Sequence, residues 1–429
     1  MIINNEEIFF VDLPQDSELI LLYAPLRSYL GKIKKELALT IQQNSNAIAE
    51  CFFTELRKRP LIDIYAAHRR SVDVMPLLSI PITDDCNMKC EYCYFRAGDN
   101  DKTLTQSDEQ IKSYVDAYFE KISTYAIRNR DNSVDISIAG GGEPTSHFAT
   151  FKYAVEYIEQ KCKRVGLTPR FNMPTNGAYG KEIREFIAHH FDQVSLSFDG
   201  PEHIQNLHRP FKNGCGSFDL VFQTAKYFYE HELKFAFRAT VSNYSVKYIN
   251  DIIDFFAEHF PGKTVGFEPL NLFGRAVGNP KLLPPEPNEY ANRLLDAYNY
   301  ANTKNITLKT AGVGKFDTLR TVFCGAVGVP NWTITTDGRI TSCTRDNLPD
   351  IFSFGVFNPE TKKIDLDEDR VTAIRNLNIF NYPECQDCFC KYNCAGDCPD
   401  LRIADMINCE ATKKIGAYVL YKKSEEVKV

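Results

Sequence analysis

The stretch Ile80-Pro81-Ile82-Thr83-Asp84-Asp85-Cys86-Asn87-Met88-Lys89-Cys90-Glu91-Tyr92-Cys93-Tyr94-Phe95 constrains this chain more than any other. A short apolar run, Leu77 to Ile82, reads as a strand and enters three cysteines spaced C-x3-C-x2-C. Thiolates this close in sequence can meet one small inorganic cluster. Three cysteines leave one iron of a four-iron cluster open to a non-protein ligand, which suits reactivity rather than electron storage. Tyr92 and Tyr94 add apolar cover. A structural zinc knuckle is the plain alternative, but it wants four ligands, usually taken as closely spaced pairs.

Fourteen cysteines in 429 residues bear on compartment and site class. Met1 to Asp12 carries Glu6 and Glu7 where a secretory signal would carry basic residues. The expectation is a cytoplasmic protein, in which disulfides are disfavoured and cluster or metal ligation better accounts for the thiols. Ten of the fourteen fall at 86 to 93, at 324 and 343, and at 385 to 398, with Cys409 further along. Cys51 and Cys162 sit in helical stretches and read as buried small hydrophobes. A net charge of −6 with dispersed lysines and arginines gives no nucleic-acid footprint. The apolar runs fall short of the about 18 residues of a membrane span. The length calls for two domains with a small extra lobe.

Residues 1–75 read as a small α+β segment. Glu7 to Val11 and Glu18 to Tyr23 look like strands joined by a turn at residues 14–17, and Leu30 to Gln42 and Asn46 to Glu55 look helical. Residues 76–310 alternate strands and helices. The strands are Leu77 to Ile82, Val134 to Ile138, Phe171 to Thr175, Val194 to Phe198, Lys234 to Val241 and Val265 to Pro269. Helical patterns such as Ser107 to Ser123, Ser146 to Lys163, Ser217 to Tyr229 and Ser245 to Phe260 lie between them. Such units make a parallel α/β sheet, whose reactive residues gather beyond the C-terminal strand ends.

Those ends carry the unusual residues. Ala139-Gly140-Gly141-Gly142-Glu143-Pro144-Thr145 follows the second strand. Its glycines permit close backbone approach by a ligand, although a plain turn would also use them. Thr175-Asn176-Gly177 follows the third strand and could be an ordinary helix start. Alternation puts Ser195, Ser197 and Asp199 on one face of the fourth strand. Arg209 follows within His208-Arg209-Pro210, and Arg238 sits amid apolar residues in the fifth strand. A buried arginine wants a carboxylate, from a ligand or from a neighbouring acid. Glu268, in the sixth strand, is a candidate partner for substrate or arginine. His203, His208 and Cys215 read as ordinary loop residues.

Residues 311–429 form a second cysteine region. Cys324 precedes Trp332 to Ile340 and then Cys343. Alternation about Asp337-Gly338 makes a hairpin there, expected to bring Cys324 and Cys343 together. Cys385, Cys388, Cys394 and Cys398 follow, and then Cys409. One or two four-cysteine zinc sites are the alternative.

The three-cysteine spacing with an aromatic before the third cysteine, the GGEP-like loop, the Thr-Asn-Gly element and the six strand–helix units resemble the radical S-adenosylmethionine (SAM) superfamily. The series C-x13-G-x4-C, gap, C-x2-C-x5-C-x3-C, gap, C resembles its SPASM extension. This resemblance, over residues 76 to about 415, implies a partial (βα)6 TIM-like barrel followed by an iron–sulfur domain. It implies SAM and three [4Fe–4S] clusters as cofactors. Cys86, Cys90 and Cys93 would hold the SAM-binding cluster, with Tyr92 beside the cofactor. Gly141, Gly142 and Glu143 would hold the SAM amino group, Asn176 would lie nearby, and Ser195, Ser197 and Asp199 would meet the ribose. Arg209 or Arg238 would meet the carboxylate. Cys385, Cys388, Cys394 and Cys409 would hold an outer auxiliary cluster, and Cys324, Cys343 and Cys398 an inner one. The inner cluster is one cysteine short, with Cys390 spare in the outer loop, so its last iron takes an unusual ligand or stays open to substrate.

The family cleaves SAM to a 5′-deoxyadenosyl radical that takes hydrogen from an unactivated carbon, and auxiliary clusters favour a net oxidation. The first expectation is maturation of a ribosomally made precursor peptide by a thioether or carbon–carbon crosslink. Tyr23-Ala24-Pro25-Leu26 with Gly31 resembles the opening of such peptide-modifying relatives, so residues 1–75 are either a leader-peptide element or a cap on the barrel. The second is anaerobic sulfatase maturation, which makes formylglycine from Cys or Ser. Relatives with that task place an aspartate directly after the second inner-cluster cysteine, whereas Thr344 and Arg345 follow Cys343 here and the first acid is Asp346. Heme or cofactor biosynthesis is a third, and a non-enzymatic electron carrier, which needs no open iron, a fourth. Expected partners are a precursor peptide and a reducing protein such as flavodoxin or ferredoxin, with no nucleic acid and no membrane.

Overall fold

The structure is a computed structural model describing residues 1–13, 18–44, 47–72, 75–99, 103–124, 131–310, 313, 318–345 and 351–426. The turn expected at 14–17 and Asp346 lie outside these residues. Two compact units emerge, one from residues 1–73, 312–324 and 376–429, the other from 74–311 and 325–375. Residues 311–429, one region in the sequence reading, are thus divided between them.

In the first unit, β1 (Ile2–Ile3) pairs with β2 (Glu6–Glu7), and β3 (Phe9–Asp12), β4 (Leu19–Ala24) and β5 (Tyr29–Lys34) form an antiparallel sheet. The sequence reading made residues 30–34 helical. They are β5, with Leu22 opposite Gly31 and Ala24 opposite Tyr29. Gly31 disfavours a helix by about 1 kcal/mol, and pairing with apolar β4 satisfies the backbone instead. Helix α1 (Lys35–Gln43) starts only after it, and with α2 (Ala47–Arg57) covers a core of Ile8, Leu22, Ile41 and Phe53. Cys51 is exposed rather than buried, because Ala49, Phe53 and Leu56 define the other face of α2. Helix α3 (Ile64–Val72) sets Ile64 against Ile379, Tyr392 and Ala395.

The second unit is built on one mixed sheet of eleven strands. Parallel strands β6 (Leu78–Ser79), β7 (Ser133–Ser137), β8 (Thr168–Thr175), β9 (Gln193–Ser197), β10 (Phe235–Val241), β11 (Thr264–Pro269) and β12 (Thr307–Thr310) stand side by side in chain order. Helices α4 (Asp108–Ser123), α5 (Phe148–Val165), α6 (Lys181–His190), α7 (Glu202–His208), α8 (Phe218–Glu230), α9 (Ile249–His259) and α10 (Pro287–Thr303) connect them. Ser107 and Gln110 close a capping box at the start of α4. β6 is shorter than expected: Ile80 N–H still donates to the Ser137 carbonyl at 3.0 Å, but Pro81 has no N–H to continue the ladder. β12 is an unexpected seventh parallel strand, although buried Ile306 and Leu308 at alternate positions signal it. β13 (Trp332–Ile334) adds parallel to β6, and β14 (Arg339–Thr341), β15 (Ser353–Asn358) and β16 (Lys363–Leu366) follow antiparallel, with α11 (Glu368–Arg375) after them. The Asp337-Gly338 hairpin forms as read, with Gly338 at φ +85.

The C-terminal segment of the first unit carries α12 (Lys391–Cys394), α13 (Pro399–Ile403) and α14 (Cys409–Glu426). Among the described residues no helix is long and apolar enough to cross a membrane.

Candidate functional site

The three cysteines of the loop after β6 are held by backbone pairing. Lys89 N–H donates to Pro210 O at 2.8 Å and Glu91 N–H to His208 O at 2.9 Å, and Met88 bridges to Phe211. From the other side, Gly142 N–H donates to Thr83 O and Glu143 N–H to Asp85 O, both at 2.8 Å. A Cβ on Gly142 would stand 1.6 Å from Asp85 O, so only glycine fits. These two N–H groups therefore serve the cysteine loop and do not point at a ligand. The Glu143 side chain is buried as well. It accepts from Asn176 N–H at 2.8 Å, Thr175 Oγ1 at 3.0 Å and Thr145 Oγ1 at 2.8 Å, while burial pushes its pKa up. Asn176 Nδ2 donates to Asn87 Oδ1 at 2.7 Å and reaches Cys86 Sγ at 3.6 Å, and Met88 N–H lies 3.4 Å from the same sulfur.

Asp199 is a buried hub. It accepts from Tyr92 OH at 2.5 Å, His208 Nδ1 at 3.0 Å, Arg209 Nε at 3.0 Å and Thr240 N–H at 2.8 Å. Burial alone would raise its pKa, but the Arg209 charge and the His208 hydrogen bond overcome it and hold the carboxyl well below the usual range. Arg209 also lies over the Tyr92 ring, 5.1 Å from its centroid. Asp199 and Arg209, expected at the ribose and carboxylate of SAM, thus satisfy each other and brace Tyr92. His208, read as an ordinary loop residue, is fully buried in this network.

Beside the loop lies a cavity of about 280 Å³, near the lower size for small-molecule sites. Cys90, Cys93 and Tyr94 line one side, and Ser197, Arg238, Thr240 and Glu268 the other. Sheet register assembles the second group: Ser197 is opposite Arg238, and Thr240 is opposite Glu268. Phe235, Phe237, Ala239 and Val241 of β10 are buried on the helix side, whereas Arg238 is exposed and not buried as expected. It makes no ion pair among the described residues, so it can meet an anionic ligand. Arg209, Thr344 and Arg345 complete the lining. Ser195 and Asp199 do not line the cavity.

The donor set fits a cluster with an open corner. Burial pushes the Cys86 thiol far up and Cys90 to about 12, and neighbouring thiolate charge adds to it, so a cationic centre is needed to hold these two ionised. Among the described residues no three or more His, Cys, Asp or Glu side chains could hold one metal ion. Thiolates on a cluster meet different irons and stand further apart than ligands of a single ion. All fourteen cysteines are outside disulfides.

In the first unit Cys385, Cys388, Cys394 and Cys409 lie within electrostatic reach of one another. Cys388 accepts from the Cys390 thiol, which lowers its pKa to about 6. Arg402 Nη2 lies 3.6 Å from Cys385 Sγ. Cys390 is buried, and Cys324 falls in this unit and Cys343 in the other.

Residues 80–256 match the family model described as the Radical SAM superfamily. A cysteine-type anaerobic sulfatase-maturating enzyme of Clostridium perfringens is 24% identical over 341 residues, 76% of this chain and 89% of that protein. The structure of native anSMEcpe with bound AdoMet superposes with a TM-score of 0.63 at 20% identity, covering 82% of this chain and 99% of that one. Streptococcus suis SuiB bound to precursor peptide SuiA gives a TM-score of 0.52 at 16% identity, covering 93% and 95%. The triad and the glycine loop both lie in residues 80–256, which form a radical SAM domain, and the chain shares the fold of these two structures.

Proposed function

We propose that the chain oxidises a side chain of a peptide or protein substrate by radical SAM chemistry. The carrying observation is that Cys90 and Cys93 open onto the same cavity as Ser197, Arg238 and Glu268. When bound, the cluster and SAM supply hydrogen abstraction from carbon. Cys86, Cys90 and Cys93 would hold the cluster, the Arg238 cation the SAM carboxylate, and Ser197 a ribose hydroxyl. Glu268 would orient the substrate from the floor of the cavity. The parallel strands would form the partial barrel, and the cysteine count calls for two auxiliary clusters, three in all, fed by a flavodoxin or ferredoxin in the cytoplasm.

Crosslinking of a precursor peptide led the expectations from sequence, but the relatives favour the other reading. The sulfatase-maturating enzyme aligns over most of its own length, and anSMEcpe is known with AdoMet and a Cp18Cys peptide at a TM-score of 0.61. Conversion of a substrate Cys or Ser to an aldehyde is therefore placed first. Crosslinking stays second, because Thr344 and Arg345, not an acid, follow Cys343 and line the cavity.

Anaerobically reconstituted protein given SAM, reductant and a sulfatase-type Cys peptide should yield 5′-deoxyadenosine and a hydrazide-reactive peptide. Loss of a hydrogen pair without hydrazide reactivity, on a precursor peptide, selects crosslinking. If the Cys86, Cys90 and Cys93 to Ala triple variant still makes 5′-deoxyadenosine, the assignment fails altogether.

A further inference from the structure

The segment after β11 carries no sequence motif, yet it touches the second half of the cysteine loop, from Cys90 to Asp99. Arg275 Nη1 donates to Cys90 O at 2.6 Å, and Nη2 donates to Ala97 O at 2.9 Å. The same guanidinium grips the Asp99 carboxylate at 2.7 and 3.0 Å, and Arg275 N–H donates to Cys93 O at 2.9 Å. Arg275 is 12% exposed, so water competes little for these bonds. Gly274 lies directly beneath, at φ +53, and a Cβ there would stand 2.2 Å from Tyr94 O. Asn279 Nδ2 holds Glu91 O at 2.9 Å.

The topology gives these contacts a purpose. The cysteine loop follows β6, and Arg275 follows β11, which is removed from β6 by four intervening strands. In a flat sheet those strands would be about 24 Å apart, five spacings of about 4.8 Å. Segment 274–279 thus crosses the open side of a curled sheet and binds the first strand's loop to the end of the sixth. Leu270, Asn271 and Phe273, just before it, line the cavity.

We propose that Arg275 is a positioning residue that fixes the backbone of the cysteine loop across this seam, so that the Cys90 and Cys93 sulfurs face the cavity before any cofactor binds. One guanidinium fills three backbone or carboxylate sites at fixed angles, a fit that lysine cannot reproduce. The proposal rests on the assignment of Cys86, Cys90 and Cys93 to a cluster only for its effect on iron.

The test is hydrogen exchange of the metal-free full-length protein, comparing wild type with Arg275→Ala, Arg275→Lys and Asp99→Asn. Amides of residues 90–99 should exchange at least about tenfold faster in Arg275→Ala, with Arg275→Lys and Asp99→Asn in between, and β8 and α5 unchanged. After reconstitution, Arg275→Ala should take up less iron and give a broadened electron paramagnetic resonance signal with SAM. Unchanged loop exchange in Arg275→Ala and Arg275→Lys overturns the proposal. If Arg275→Ala does not fold, Arg275→Lys alone decides by the same readout. A wild type that takes up no iron, with a loop still loosened by Arg275→Ala, refutes the cluster assignment and leaves this inference standing.

Discussion

Asp199 shows how one buried carboxylate can tie the cysteine loop to the strands beside it. It collects donors from Tyr92 on the cysteine loop, from His208 and Arg209 on the segment paired with that loop, and from the backbone of β10. Removing the charge leaves Arg209 buried without its partner, which costs about 3–5 kcal/mol. Asp199→Asn should therefore lower apoprotein stability by about that amount near neutral pH. The folded-state pKa is depressed below the unfolded value of about 3.9. Its stabilisation is thus present above that value and is lost as pH falls through the folded pKa. An acid unfolding series followed by circular dichroism should show a shallower loss of stability below about pH 4 in Asp199→Asn than in wild type. Parallel acid limbs would show that the hub contributes nothing through its charge.

At the scale of elements, register does the assembling. Ser197, Arg238, Thr240 and Glu268 come from three strands and reach one cavity because parallel pairing sets them in two adjacent rows. Arg238 is exposed, so its removal should leave the fold intact. Arg238→Met should weaken SAM binding to the reconstituted protein by about tenfold to a hundredfold, the worth of a charge-assisted hydrogen bond, with an unchanged melting temperature. Equal SAM affinity in the two proteins would move the carboxylate site elsewhere. Much of this was legible beforehand. All six expected parallel strands end within three residues of where alternation put them, the first being cut short ahead of Pro81. What sequence could not show was which polar residues satisfy each other. Alternation put Asp199 and Ser197 on one face of β9, but the hub took Asp199 and the cavity took Ser197. β5 was misread because a strand with Lys32 and Lys34 at its exposed positions looks amphipathic at either period until its partner is known. Arg275 lay in a Gly-Arg-Ala turn with no periodicity at all, and only the third dimension brings it to Cys90.

For the molecule as a whole, the first unit joins the two ends of the chain. Lys391 Nζ donates to the Glu7 carboxylate, Tyr392 OH donates to Glu7 Oε2 at 2.6 Å, and Ile64 packs on Tyr392. Glu7 and Lys391 side chains are 10% and 8% exposed, a buried ion pair. Lys391 and Tyr392 stand between Cys388 and Cys394, so the N-terminal strands brace the cysteine segment. This makes residues 1–73 a structural support for the C-terminal cysteines whether or not they also grip a leader peptide. Glu7→Gln leaves Lys391 charged and unmatched and should cost about 3–5 kcal/mol, whereas Glu7→Gln with Lys391→Met should recover part of that loss. On the proposed assignment of auxiliary clusters to the C-terminal cysteines, the single variant should also lose that iron on reconstitution while retaining the SAM-dependent signal of the triad cluster, because those clusters would depend on the order of residues 385–398. Iron counted against 5′-deoxyadenosine formation separates the two effects. If Glu7→Gln keeps all its iron, or if the double variant is no more stable than the single one, the N-terminal strands do not brace the cysteine segment through this pair.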